Sequence, residues 1–216
     1  MKQKRPFLLA AFLVAGLALI ANGADAVTNS TDQVEASYTK SIEGRTSDIL
    51  KILALADANK AVHVHDAVTA QYRALRAWHD ENDAKLKAAK ADTNAVAQIR
   101  GSLKVIHDSF LAKLSEVLSP EQVDQVKDKM TYGKVQFTFN GYLSAYPDLA
   151  EEHKQKILEL LRQAREEAMD GGSSDEKTAV FQKAKGKINN YLSKQGIHPE
   201  KKKTGSVTTT NTQPLQ

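Results

Sequence analysis

Seven apolar residues, Val96, Ile99, Leu103, Ile106, Phe110, Leu114 and Val117, follow one another at steps of three or four. Residues so spaced share one face of an α-helix, whereas a strand would need alternation by two. A helix of this length with a single apolar face must be covered by other apolar faces. The chain supplies them at the same period. Gly and Pro are scarce over residues 27–132, and a first helix is predicted over about residues 32–55, with Tyr38, Ile42, Ile49, Ile52 and Leu53 facing inward. Asp57 reads as the N-cap of a second helix, running to about residue 90 with Val64, Val68, Tyr72, Leu75 and Leu86 along one side.

Further helices are marked by their ends. In Ser119-Pro120-Glu121-Gln122, Ser caps, Pro takes the first turn where its missing N–H costs nothing, and Gln completes a capping box. This helix carries Val123, Val126 and Met130, and Gly133 closes it. Asp148-x-x-Glu151 opens another through Ile157, Leu158, Leu161, Ala164 and Ala168, ended by Gly171-Gly172. Ser173-x-x-Glu176 caps a last one, with Phe181, Ala184, Ile188, Tyr191 and Leu192 inside and Gly196 and Pro199 beyond. Between them, residues 134–147 gather Phe137, Phe139, Tyr142 and Tyr146 around Asn140-Gly141, which reads as an ordered aromatic connection with room for one short helix. The predicted fold is an all-α bundle of five to six helices with an aromatic-rich connecting segment.

The two ends of the chain differ from its middle. Lys2, Lys4 and Arg5 precede an uncharged run over residues 7–20, and Ala24-Asp25-Ala26 follows. That is the pattern of a signal peptide over residues 1–26, cleaved after Ala26. It predicts a periplasmic or secreted protein with no stable membrane span, since a span needs about 20 apolar residues. Residues 27–199 then form a single helical domain, and residues 200–216, rich in Lys and Thr without periodicity, form a disordered polar tail. There are no cysteines, hence neither disulfides nor a thiol nucleophile. Loss of the signal takes three basic residues from 30 and one acidic residue from 26, leaving the domain nearly neutral. Nucleic acid, which needs a basic face, is not an expected partner.

Several residues carry chemistry worth weighing. His63 and His65 are two apart and point to different sides of a helix, so they do not share an ion. His79 and Asp83 share a face, which Tyr72 and Arg76 continue. Such a pair serves metal binding or acid–base chemistry, or is simply a solvated polar face. Trp78 beside it is either a stacking surface or core. His107, next to Ile106 on the apolar stripe, reads as a packed, hydrogen-bonded histidine. No nucleophile elbow, phosphate loop, H-E-x-x-H or EF-hand is present, so neither a cofactor nor a metal is expected and an enzyme is disfavoured. The aromatic segment together with Tyr132 offers flat rings with hydroxyls, which suits stacking on sugars, or else seals the end of the bundle. The candidate ligand-binding set is therefore Tyr72, Trp78, His79, Asp83, Tyr132, Phe139 and Tyr142, with Trp78, His79, Tyr132 and Tyr142 expected to converge in one groove.

Residues 71–75 (QYRAL), 79–85 (HDENDAK), 118–133 (LSPEQVDQVKDKMTYG), 164–174 (AREEAMDGGSS) and 187–192 (KINNYL) resemble, in order, an exported bacterial family catalogued as domain of unknown function 3826. The resemblance runs over about residues 38–196. It implies an association with sugar binding and with polysaccharide-utilisation systems, whose oligosaccharides or proteins would be the partners. The chain departs from the family at Lys129, where a glycine is usual, and over residues 178–185 (TAVFQKAK), where aromatic or basic residues are usual. Locally, Leu118-Ser119-Pro120-Glu121-Gln122 is similar to the LTxxQ motif of periplasmic helical chaperones, although a capped helix start accounts for the same five residues. Three readings follow: a non-enzymatic carbohydrate-binding module, a periplasmic holdase, and a hydrolase or lyase built on His79, Asp83 and His107.

Overall fold

The predicted caps at Asp57, Ser119 and Ser173 each begin a helix in the computed structural model, which describes residues 21–200 and, for side chains, residues 32–200. Seven helices are present among the described residues: α1 (Ala21–Leu53), α2 (Ala58–Ala88), α3 (Thr93–Ser115), α4 (Pro120–Met130), α5 (Lys134–Ala145), α6 (Glu151–Met169) and α7 (Ser174–Lys194). Residues 1–20 of the predicted signal peptide (residues 1–26) and residues 201–216 of the predicted tail (residues 200–216) lie outside the described residues. No helix among the described residues is long and apolar enough to cross a membrane.

Asp57 accepts from the backbone N–H groups of Asn59 and Lys60, and Asp92 does the same for Asn94 and Ala95. Ser119 Oγ accepts from the Gln122 N–H while the Gln122 side chain returns to the Ser119 N–H at 3.0 Å, a complete capping box. The local chaperone-like pentapeptide is thus fully occupied in starting α4. Ser173 caps α7 through the Glu176 N–H. The sixth helix departs from expectation, because its N-cap is Ala150 rather than Asp148 and it has no side-chain cap; Glu151 and Glu152 in its first turn supply favourable charge instead. The first helix also starts earlier than predicted. Ala21, Ala24 and Ala26 are strong helix formers and no proline intervenes.

The chain divides between Glu43 and Gly44, and the second part holds the packing that positions the clefts. There α6 lies against α5 and α7, α2 against α3, and α4 against α3 and α6. Ile157, Leu161, Phe181, Ile188 and Leu192 form one apolar core with Val135 and Tyr142 of α5. Leu75, Trp78 and Leu103 form a second between α2 and α3. All seven stripe residues are buried or half-buried, six of them in α3 and Val117 in the turn that follows. Ile52, expected inside, is 45% exposed, because the buried face of α1 runs through Ile42, Thr46, Ile49 and Leu53.

The largest change from expectation is α5. Residues 134–145 are a full helix of 12 residues, entered through two consecutive left-handed residues, Tyr132 (φ 61°) and Gly133 (φ 62°). Glycine takes that conformation freely, whereas for a tyrosine it is costly.

Candidate functional site

The aromatic residues and the His–Asp pair do not meet in one groove; they line three separate clefts. Tyr142 belongs to a cleft of about 570 Å³ between α5 and α7, with Phe137, Asn140, Tyr146, Lys185 and Asn189. Tyr72 and Tyr132 line another of about 470 Å³ with Arg45 and Lys129, where the Arg45 guanidinium sits 5.7 Å from the centre of the Tyr72 ring. Trp78, His79 and Asp83 border a third, of about 260 Å³, with Arg100, Asp170 and Glu176. Phe139 lines none of the three; it packs half-buried against the α5–α7 core and seals it. Trp78 is also core, only 6% exposed, and its indole N–H donates to Ser102 Oγ at 2.8 Å, so its ring is not a free stacking surface.

In the α5–α7 cleft, Tyr142 and Tyr146 stack with centroids 6.1 Å apart. The Tyr142 hydroxyl donates to the Lys185 carbonyl at 3.2 Å and Asn189 Oδ1 at 2.8 Å. Burial, with the nearby Tyr146, pushes its pKa up to about 12, so the hydroxyl stays protonated. Asn189 accepts through its oxygen, which leaves the nitrogen end of its amide as a donor. Phe137 at this cleft is 77% exposed, an unusual position for a phenylalanine.

The His79 cleft is held by charge. His79 Nε2 lies 2.8 Å from the Asp170 carbonyl, and Nδ1 lies 2.9 Å from Asp83 Oδ1 and 3.8 Å from Glu176 Oε2. Burial opposes the charged ring, but the Asp170 carbonyl and the Asp83 carboxylate outweigh it and raise its pKa. The side chain of the same Asp170 holds His107, Nδ1 to Oδ1 at 2.9 Å, while Glu166 stands 3.7 Å from the other ring nitrogen. These two carboxylates, working against burial, raise the His107 pKa to about 9. Glu166 also takes Lys127 at 2.9 Å and Arg165 at 3.4 Å. Burial disfavours its charge, yet the cations around it hold its pKa down at about 2. The two histidines therefore meet through Asp170, not directly. His63 and His65 do not meet at all, since His63 reaches the Lys113 carbonyl and His65 the neighbouring Asp66.

Gly172 makes the approach of His79 possible. A Cβ built there would stand 2.8 Å from His79 Cγ and 2.9 Å from Cδ2, and the ring is held at Nε2 by the Asp170 carbonyl. Gly172→Ala is expected to destabilise the protein by about 1–3 kcal/mol, the usual cost of overpacking. Urea denaturation measures it; an unchanged midpoint would show that the ring yields freely.

A family model described as "Protein of unknown function (DUF3826)" matches residues 39–207. The chain belongs to this family. No curated protein matches it. Lys129 and residues 178–185, read from the sequence as departures from the resemblance, both border clefts. Lys129 borders the Tyr132 cleft and reaches Asp48 at 3.8 Å. The stretch at residues 178–185 gives Val180 and Lys183 to the His79 cleft and Lys185 to the α5–α7 cleft.

Asp170 was not singled out from the sequence, and Glu176 was read there only as part of a helix cap. Asp170 lies 91 residues beyond His79, and no local spacing links them. Lys177 was missed for the same reason. It is 3% exposed, and its ammonium donates to the carbonyls of Met130 at 3.2 Å and Met169 at 3.4 Å. Burial, with the charge of Arg45, lowers its pKa to about 8.

Proposed function

We propose that this DUF3826 protein is an exported, non-enzymatic module that binds neutral oligosaccharide in the cleft between α5 and α7. The observation that carries the reading is Phe137, 77% exposed at a cleft that also offers the half-buried ring of Tyr146 and the amides of Asn140 and Asn189. Flat apolar rings beside amide donors and acceptors match the two faces of a sugar ring. The export part of the reading is supported by the basic, apolar and small-residue pattern of residues 1–26.

The test is calorimetric titration of protein recovered from outside the cytoplasm with cello-, xylo- and manno-oligosaccharides. Its first residue also reports where export cleaves it. One of these sugars is expected to bind, and Phe137→Ala is expected to weaken it about tenfold, the equivalent of 1.4 kcal/mol. Because Phe137 is so exposed, the variant should fold normally. Binding by none of the sugars, or binding indifferent to Phe137→Ala, would sink the reading.

A further inference from the structure

His79, Asp83 and Glu176 present three electron-pair donors to one point, all within 4.8 Å of one another. Two come from successive turns of α2 and the third from the first turn of α7. The partners of the histidine make this arrangement unusual. Its Nε2 faces the Asp170 carbonyl, which can only accept, so Nε2 carries the proton and a neutral ring turns its Nδ1 lone pair toward the two carboxylates. Something positive must lie between Nδ1 and those oxygens. A proton on Nδ1 serves Asp83 at 2.9 Å and does not reach Glu176 at 3.8 Å, whose Oε2 has only the neutral Gly172 N–H to balance its charge. A metal ion satisfies all three. With bonds of about 2.0–2.2 Å, an ion holds its ligand atoms roughly 3–3.6 Å apart, and the observed 2.9 and 3.8 Å bracket that spacing.

We propose that His79, Asp83 and Glu176 form a binding site for a first-row divalent ion of the zinc type, open to the cleft between α2 and α7. One imidazole and two carboxylates suit such an ion better than calcium or magnesium, which prefer oxygen throughout. The surroundings are those of a metal-binding histidine. The backbone carbonyl on Nε2 fixes the tautomer and the ring plane, as the outer partners of ligating histidines do. Gly172 lets the α6–α7 loop close onto the ring, and its N–H donates to Glu176 Oε2 at 2.9 Å, which orients that carboxylate. All three ligands border the cleft, so the remaining coordination positions face space that also contains Arg100 and Lys183. The site shares no residue with the saccharide cleft, and neither proposal depends on the other.

The test is titration of the untagged full chain with Zn²⁺ by calorimetry, and with Co²⁺ by visible absorption. One ion per chain is expected, with a cobalt band that reports nitrogen and oxygen ligation. His79→Gln, Asp83→Asn and Glu176→Gln should each weaken Zn²⁺ by at least tenfold and diminish the band, while His153→Gln, whose ring is held by Tyr191, changes neither. Asp83 and Glu176 are about half exposed, so their variants keep the test decisive if His79→Gln fails to fold. No uptake of either ion, or uptake unchanged in Asp83→Asn and Glu176→Gln, would overturn the proposal.

Discussion

Arg165→Met is expected to cost the protein about 3 kcal/mol, the low end of the penalty for removing one partner from a buried ion cluster. Arg165 is 4% exposed, and its two terminal nitrogens reach Asp128 at 2.7 Å, Asp124 at 2.8 Å and Glu166 at 3.4 Å. Burial works against its charge, yet the three carboxylates outweigh it and raise its pKa. Methionine replaces much of the apolar stem and leaves α4 and α6 facing each other with unbalanced acid. The loss stays near the low end because Asp124 and Asp128 are 53% and 44% exposed and water can take over part of the solvation. At about 2–4 °C per kcal/mol for a chain of this size, Tm should fall by roughly 6–12 °C. Asp124→Asn, which removes one exposed partner, should cost well under half of that. A Tm within about 2 °C of the parent for Arg165→Met would mean that the carboxylates do not depend on the arginine.

The second large effect is a loss of stability on the alkaline side. His107 has a folded pKa of about 9 against an ordinary value of 6.5. A raised pKa means that the folded state holds the proton more tightly, so this stabilisation is complete below pH 6.5 and disappears as pH rises through 9. Its upper bound is about 3 kcal/mol, at 1.36 kcal/mol per pKa unit. Glu166 works in the opposite sense, contributing above its ordinary 4.5 and losing that contribution as pH falls toward 2. Stability should therefore be greatest between the two windows. Melting curves at pH 6 and pH 9 for the parent and for His107→Gln separate the histidine from everything else that titrates, because other groups affect both proteins alike. The parent should lose stability over that interval and the variant should lose much less. Parallel losses would assign the slope to another group.

The sequence revealed elements wherever burial follows apolar residues, and concealed them wherever a polar residue takes a place in the buried face. The α3 stripe and the Ser119 capping box needed only local spacing. By contrast, α5 buries Val135, Thr138 and Tyr142, a helical series whose middle member is a threonine, while its most conspicuous apolar residue, Phe137, points outward. Hydrophobic spacing therefore suggested a connection with room for only one short helix. Thr46 plays the same part in α1, where it is fully buried and within 3.5 Å of Thr69. At the His79 cleft, the i, i+4 pair with Asp83 was legible because both residues lie on one helix. Glu176 and Asp170 were not, because tertiary packing alone brings α6 and α7 to that ring. The same packing separates Tyr132 from Tyr142, which are close in sequence, by turning the chain through the left-handed pair at Tyr132 and Gly133.

Lys177 makes the lengths of two helices interdependent. One ammonium receives the last carbonyls of both α4 and α6, at Met130 and Met169. Lengthening either helix by one residue would carry its terminal carbonyl about 1.5 Å along the axis and about 100° around it, out of the lysine's reach. The other helix would then keep a cation meant for two. The buried amine thus acts as a gauge rod, holding two separate stretches of chain to a common end point and leaving the connecting loops as the places where length can drift.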